Sequence, residues 1–172
     1  VDPASYPLAR HARRGAGLRL VWIGQHSTLP CLQYAEPLLS AAATRVAGLE
    51  LRVICNQFPR LHGIRVIPRQ WSAATETAEI AACDVGISWL PDDAWSRGKC
   101  GLKVLQYMAA GLPVVANPVG MNCEMVEPGR TGYLARTPND WADALARLAA
   151  DPELRARLGA AGRAAVERKY SV

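Results

Sequence analysis

The sequence contains no uninterrupted apolar run approaching the roughly 20 residues of a membrane-spanning helix, so no bilayer segment is expected. No signal-peptide pattern opens it, and a secreted form is not expected either. Cysteine pairs of the C-x-x-C kind are missing. The five cysteines, Cys31, Cys55, Cys83, Cys100 and Cys123, are scattered and odd in number, which points to reduced thiols in the cytoplasm rather than to disulfides. His11, His26 and His62 lack metal-ligand spacing, so no metal is expected. Neither G-x-G-x-x-G nor G-x-x-x-x-G-K-[ST] occurs, and "GQHSTL" at 24–29 spells neither, which argues against a nicotinamide-binding Rossmann domain and a P-loop NTPase. No helix-turn-helix or basic–aromatic stripe points to a nucleic-acid partner. One further absence is local: no acidic residue occurs between Arg97 and Ala116.

What is present is the composition of one globular domain, 172 residues with 50% hydrophobic and 20% charged side chains. The net charge of +5 is carried mostly by dispersed arginines. A cluster at Arg10, His11, Arg13 and Arg14 reads first as a solvated basic linker, with contact to anionic lipid or to a neighbouring domain as the sharper alternative.

The elements alternate. "LRLVWIG" (18–24) is a continuous apolar run ending in glycine, as expected of a strand buried on both faces. A helix over 30–46 follows, then strands at 49–55 and 63–68, a helix over 73–82 and a strand at 84–90. A helix over 101–110, a strand at 112–116, a short helix near 121–127 and a strand at 132–135 complete the sheet. Thr137-Pro138-Asn139-Asp140 and Asp151-Pro152 then start two amphipathic tail helices with a capping residue and a first-turn proline. This alternation predicts an α/β fold, a Rossmann-like open parallel sheet with helices on both faces. Residues 1–17 have no partner strand and read as an interdomain entry segment, with 18–172 as the domain proper. Both ends look cut, as in a fragment of a longer protein.

The stretch "GKCGLKVLQYMAAGLPVVA" (98–116) concentrates the chemistry. Helix starts favour acidic residues, yet Lys99 and Lys103 flank this one. Leu102, Leu105 and Ala109, with Met108 beside them, are expected to pack on the sheet, and Lys99, Lys103 and Gln106 to share another face. Two ammonium groups, free first-turn amides at Gly101–Leu102 and the helix dipole make a diphosphate site. Ordinary solvated lysines are the bland alternative, weakened by the missing acids. Ser96-Arg97-Gly98-Lys99 also spells S-x-x-K and Arg130-Thr131-Gly132 approximates K-T-G. The penicillin-binding reading nevertheless fails for want of S-D-N and of an antiparallel sheet.

"GLKVLQYMAAGLPVVANPVGMNCEMVEPGRTGYLA" resembles the nucleotide-sugar-binding, C-terminal half of retaining GT-B glycosyltransferases of the group 1, family 4 type. Met108-Ala109, Gly111, Pro113, Val114, Val115, Gly120, Glu124, Val126, Gly129 and Gly132 carry the likeness. "VDPASY" also looks like the segment entering this half from the preceding domain. The resemblance implies that the whole protein moves a sugar from a UDP- or GDP-sugar to an acceptor held by an N-terminal domain absent from this chain. It implies a role in cell-envelope or exopolysaccharide synthesis in a bacterium, in the cytoplasm or peripherally at the inner face of the plasma membrane. The fragment alone is expected to be inactive, and its catalytic residues lie partly in the missing domain.

Under this resemblance the diphosphate falls to Gly24, Ser27, Thr28, Lys99, Gly101, Leu102 and Lys103, and the ribose and base to Gln106, Arg69 and Trp71. No metal is expected. Two departures stand out. The acids of the family pattern fall on Gly98 and Gln106, and "GQHST" replaces a basic pair, whose charge Lys99 and Lys103 would restore. Asp92 or Asp93 are candidates to replace the first acid. Alternatives are a non-catalytic nucleotide-binding module and a GT-B nucleotide-sugar epimerase.

Overall fold

The computed structural model describes residues 1–11 and 17–170; Arg13 and Arg14 of the basic cluster lie outside the described residues. Six parallel strands form one sheet: β1 (Arg19–Ile23), β2 (Glu50–Cys55), β3 (Arg65–Gln70), β4 (Val85–Ser88), β5 (Val114–Ala116) and β6 (Gly132–Leu134). Their order is β3-β2-β1-β4-β5-β6, the doubly wound arrangement. In β1, Leu20 and Trp22 point into one apolar layer and Val21 and Ile23 into the other. A strand covered on both faces has no polar side to display, which is why its sequence reads as an unbroken apolar run.

Helices α1 (Leu29–Tyr34), α2 (Glu36–Arg45) and α7 (Pro138–Ala150) cover the first layer, where α2 packs on α7 through Leu39, Trp141 and Leu145. Helices α3 (Glu76–Ala81), α5 (Leu102–Ala109) and α8 (Pro152–Lys169) cover the second, with Ile80, Val104, Tyr107 and Val166 in its core. The short helices α4 (Ala94–Arg97) and α6 (Asn122–Met125) lie in the loops after β4 and β5. Of the entry segment, Val1, Tyr6 and Ala9 lie against the second layer, and the Ala9 amide donates to the Ala110 carbonyl at 2.9 Å.

Three sequence expectations shift. The helix read over 30–46 divides at Ala35, because Pro37 has no N–H to continue the ladder and restarts a helix at its first turn. The third strand runs on through Pro68 to Gln70, a proline tolerated because β3 is an edge strand. The inward face of α5 is shifted from the one expected: Met108 and Ala109 are buried and Leu105 packs on the core as read, but Leu102 is exposed and Val104 and Tyr107 turn inward. The cause is Gly86 on β4, whose missing side chain leaves a gap that the Tyr107 ring fills. There the Tyr107 hydroxyl accepts the Ile23 amide at 3.0 Å, satisfying a buried donor.

Candidate functional site at the carboxyl rim of the sheet

The strand order reverses between β1 and β4, and sheets of this kind hold ligands beyond the carboxyl ends of their strands at that point. A cavity of about 680 Å³ opens there. Ile23 and Gly24 at the end of β1, Thr28, and Asn56 after β2 form part of its wall. Gln25 and His26, Trp71 after β3, Glu76 on α3, and Leu102, Lys103 and Gln106 on α5 supply the rest. A second cavity of about 280 Å³, bordered by Ser88, Leu90, Lys99, Cys100 and Gly101, shares Thr28, Leu102 and Lys103 with the first.

Lys103 stands where the two cavities meet. Its ammonium nitrogen lies 4.4 Å from the centroid of the Trp22 ring, a cation–π contact. No carboxylate lies within ion-pair distance of Lys103 or Lys99 among the described residues. Burial therefore acts on a charge that has no counter-ion and lowers the Lys103 pKa to about 8, with the nearby Lys99 pushing in the same direction. The Trp22 ring reaches this position by folding beneath Gly24: a Cβ there would lie 2.4 Å from the tryptophan Cη2 and 2.7 Å from Thr28 Oγ1. The glycine is thus required for space.

The start of α5 is uncapped. Gly101 occupies the left-handed region at φ 67°, and no side chain accepts from the first-turn amides. Unsatisfied N–H groups and the positive end of the dipole therefore add to the ammonium charge. A side chain at position 101 would also press on Met125 Sδ at 2.9 Å, so backbone conformation and packing both demand glycine.

Gly24, Thr28, Leu102, Lys103, Gln106 and Trp71 all border the larger cavity, and Lys99 and Gly101 the smaller. Two expected residues are placed elsewhere. Ser27 sits exposed in a 3-10 turn and is not in either wall. Arg69 turns away to Glu79, its Nε 3.3 Å from Oε2, where Glu79 also binds Arg52 at 2.6 Å; a carboxylate at the helix face outcompetes the open cavity for it. Asp92 and Asp93 are committed too. Asp92 pairs with Arg97 at 2.8 Å, and Asp93 caps α4 by accepting the Ser96 amide at 2.7 Å. Asn122, the first residue of α6 in the loop after β5, is fully buried and donates to the Asn117 carbonyl at 3.0 Å, which makes it part of the loop's framework.

Sequence reasoning missed Glu76, whose carboxylate faces this cavity. Its Oε2 accepts the Trp71 indole N–H at 2.6 Å and its Oε1 the Gln106 amide at 3.4 Å. A glutamate in a first helical turn looks like dipole compensation, and nothing in its spacing reveals partners from β3's exit and from α5. Among the described residues, no group of three or more His, Cys, Asp or Glu side chains is placed to hold a metal ion.

These features define a doubly wound α/β domain whose ligand-facing rim carries an uncompensated positive charge. The chain belongs to the group 1 glycosyl transferases, whose family model matches residues 7–151. A D-inositol 3-phosphate glycosyltransferase of Corynebacterium jeikeium is 43% identical over 61 residues, 34% of this chain and 15% of that protein. The chain thus matches only a small part of the length of such relatives. Among solved structures, the C-terminal domain of the group 1 glycosyl transferase LpcC from Francisella tularensis superposes with a TM-score of 0.74 at 20% identity. That match covers 100% of this chain and 99% of the other. HepE of Anabaena, solved in complex with UDP and glucose, gives a TM-score of 0.70 at 19% identity over 91% of this chain and 45% of its own. The fold is that of the C-terminal domain of a GT-B glycosyltransferase.

Proposed function

We propose that this chain is the donor-binding domain of a retaining, sugar-transferring enzyme, and that its cavity holds the nucleoside diphosphate of a UDP- or GDP-sugar. The observation that carries this reading is the Lys103 ammonium, half-buried at a helix start with an aromatic face but, among the described residues, no carboxylate as its partner. Keeping a bare charge there costs stability, and a diphosphate would repay it.

In this reading Lys103, Lys99 and the Leu102 and Lys103 amides contact the two phosphates, with Gly24 and Thr28 alongside. Trp71 and Gln106 stand at the nucleoside end of the same cavity. When the bond to the sugar breaks, negative charge builds on the leaving diphosphate. Two ammonium groups and oriented amides stabilise it without having to reorganise. This field needs no metal ion. The acceptor and the remaining catalytic groups come from an N-terminal domain, so this piece alone turns over no donor. A cell-envelope or exopolysaccharide product fits the family. Work at the cytoplasmic face of a bacterial membrane fits a domain in which, among the described residues, no helix is long and apolar enough to cross it.

One observation favours a non-catalytic module instead: Gly98 has no side chain, and Asp92 and Asp93, the acids nearest to it in sequence, are already bonded within their own loop. Isothermal titration with UDP, GDP and ADP tests the shared step. Binding of at least one, weakened by about ten-fold or more in Lys103→Ala, supports donor binding; the loss matches a charge-assisted contact. No heat with any of them contradicts both readings. Sugar transfer by the full-length protein then separates enzyme from module.

A further inference from the structure

We infer that the donor carries a 6-deoxyhexose, a sugar with a methyl group where an ordinary hexose has CH₂OH, and that the smaller cavity selects it; this rests on the donor-binding reading above. A sugar nucleotide is linear, with the diphosphate between nucleoside and sugar. The two cavities meet at Thr28, Leu102 and Lys103 and differ in size, about 680 Å³ against about 280 Å³. With the diphosphate at that junction and the bulkier nucleoside in the larger cavity, the sugar falls in the smaller one.

That smaller cavity offers sugar hydroxyls little to bond. A hydroxyl taken out of water needs an acceptor for its proton. No carboxylate borders the cavity among the described residues. The hydroxyls that do border it, those of Thr28 and Ser88, are already committed. Thr28 Oγ1 donates to the Gln25 carbonyl at 2.9 Å and accepts the Gln25 amide at 3.2 Å. Ser88 is 2% exposed, and its hydroxyl donates to Asn122 Oδ1 at 3.5 Å. The ammonium groups of Lys99 and Lys103 are donors only, and in this reading the phosphates occupy them.

The rest of the wall is apolar. Leu90 and Cys31, 6% and 8% exposed, form its sheltered part, and a buried thiol behaves as a small hydrophobe. Leu102, 54% exposed, and Cys100 meet solvent, so ring hydroxyls on that side stay hydrated. A CH₂OH group set against Leu90 and Cys31 strands its hydroxyl, whereas a methyl group packs there without loss. An apolar wall rejects one added hydroxyl by about ten- to a hundred-fold.

Isothermal titration compares UDP-glucose with UDP-6-deoxyglucose and GDP-mannose with GDP-6-deoxymannose, with UDP and GDP as references. The members of each pair differ by a single oxygen atom. For the base that the domain accepts, the deoxy member is expected to bind about ten-fold tighter or more. Cys31→Ser, shown by its thermal melt to be folded, sets a hydroxyl partner in the sheltered wall and narrows the preference by tightening the CH₂OH member. Pair members bound alike by the wild type, tighter binding of the CH₂OH member, or a preference unchanged in Cys31→Ser overturns the assignment. So does binding of UDP or GDP without binding of either matching sugar nucleotide. Binding of none of the six removes the donor-binding reading instead, and this inference with it.

Discussion

The Lys103 ammonium lies 4.4 Å from the centre of the Trp22 ring and meets no carboxylate among the described residues. An aromatic face offsets only part of the cost of taking a charge out of water, about 0.5–2 kcal/mol. The remainder is the signature of a group kept for a ligand.

Replacing Lys103 by methionine separates stability from function. Methionine fills a similar volume and removes the half-buried, unpaired charge, so the folded domain gains about 0.5–2 kcal/mol at pH 7. Denaturant unfolding measures that gain, and calorimetry measures the accompanying loss of nucleoside diphosphate binding. A variant that is less stable than the wild type contradicts the account.

The same lysine sets a pH dependence. Its folded pKa, about 8, lies below the ordinary 10.5 of the unfolded chain, so between these values the unfolded state binds more protons. Its contribution to stability is unfavourable below pH 8 and is relieved as pH rises from about 8 to 10.5. Diphosphate affinity runs the opposite way and falls above pH 8 as the ammonium is lost. Unfolding and binding measured from pH 7 to 10 show both trends, and Lys103→Met flattens each.

Gly24→Ala tests the support beneath the lysine. The added Cβ would come within 2.4 Å of the Trp22 ring, which must move and carry the Lys103 contact with it. Overpacking of this kind costs about 1–3 kcal/mol. Nucleotide binding weakens with it, although the methyl group touches no charged residue.

Asn117→Ala tests the loop that carries Lys99. The Asn117 side chain accepts the Leu90 amide at 2.9 Å and donates to the Leu90 carbonyl at 2.6 Å, both within the protein interior. Its removal orphans two backbone groups at a cost of about 1–3 kcal/mol each. Hydrogen exchange of residues 90–101 rises in this variant.

Most of the sheet was legible because strands such as β1, β4 and β5 are apolar runs between turn residues, whereas the edge strand β3 carries on into Arg69 and Gln70; the helix caps at Thr137 and Asp151 are written in the sequence. The lysines at the start of α5 were legible from an absence, the acids missing around them. Other features depend on contacts between distant elements. Tyr107 on α5 turns inward because of Gly86 on β4, and Arg69 leaves the rim because Glu79 is within its reach. Glu76 belongs to the site only through Trp71 and Gln106, 5 and 30 residues away. Side-chain partners of this kind are set by packing, which periodicity does not encode.

The most direct measurement is the Lys103 side-chain pKa, followed by NMR of isotope-labelled lysine with and without UDP or GDP. The account predicts a value near 8 in the free domain that climbs back toward 10.5 when the diphosphate binds. A value already ordinary in the free domain, or one that stays near 8 with bound nucleotide, contradicts it.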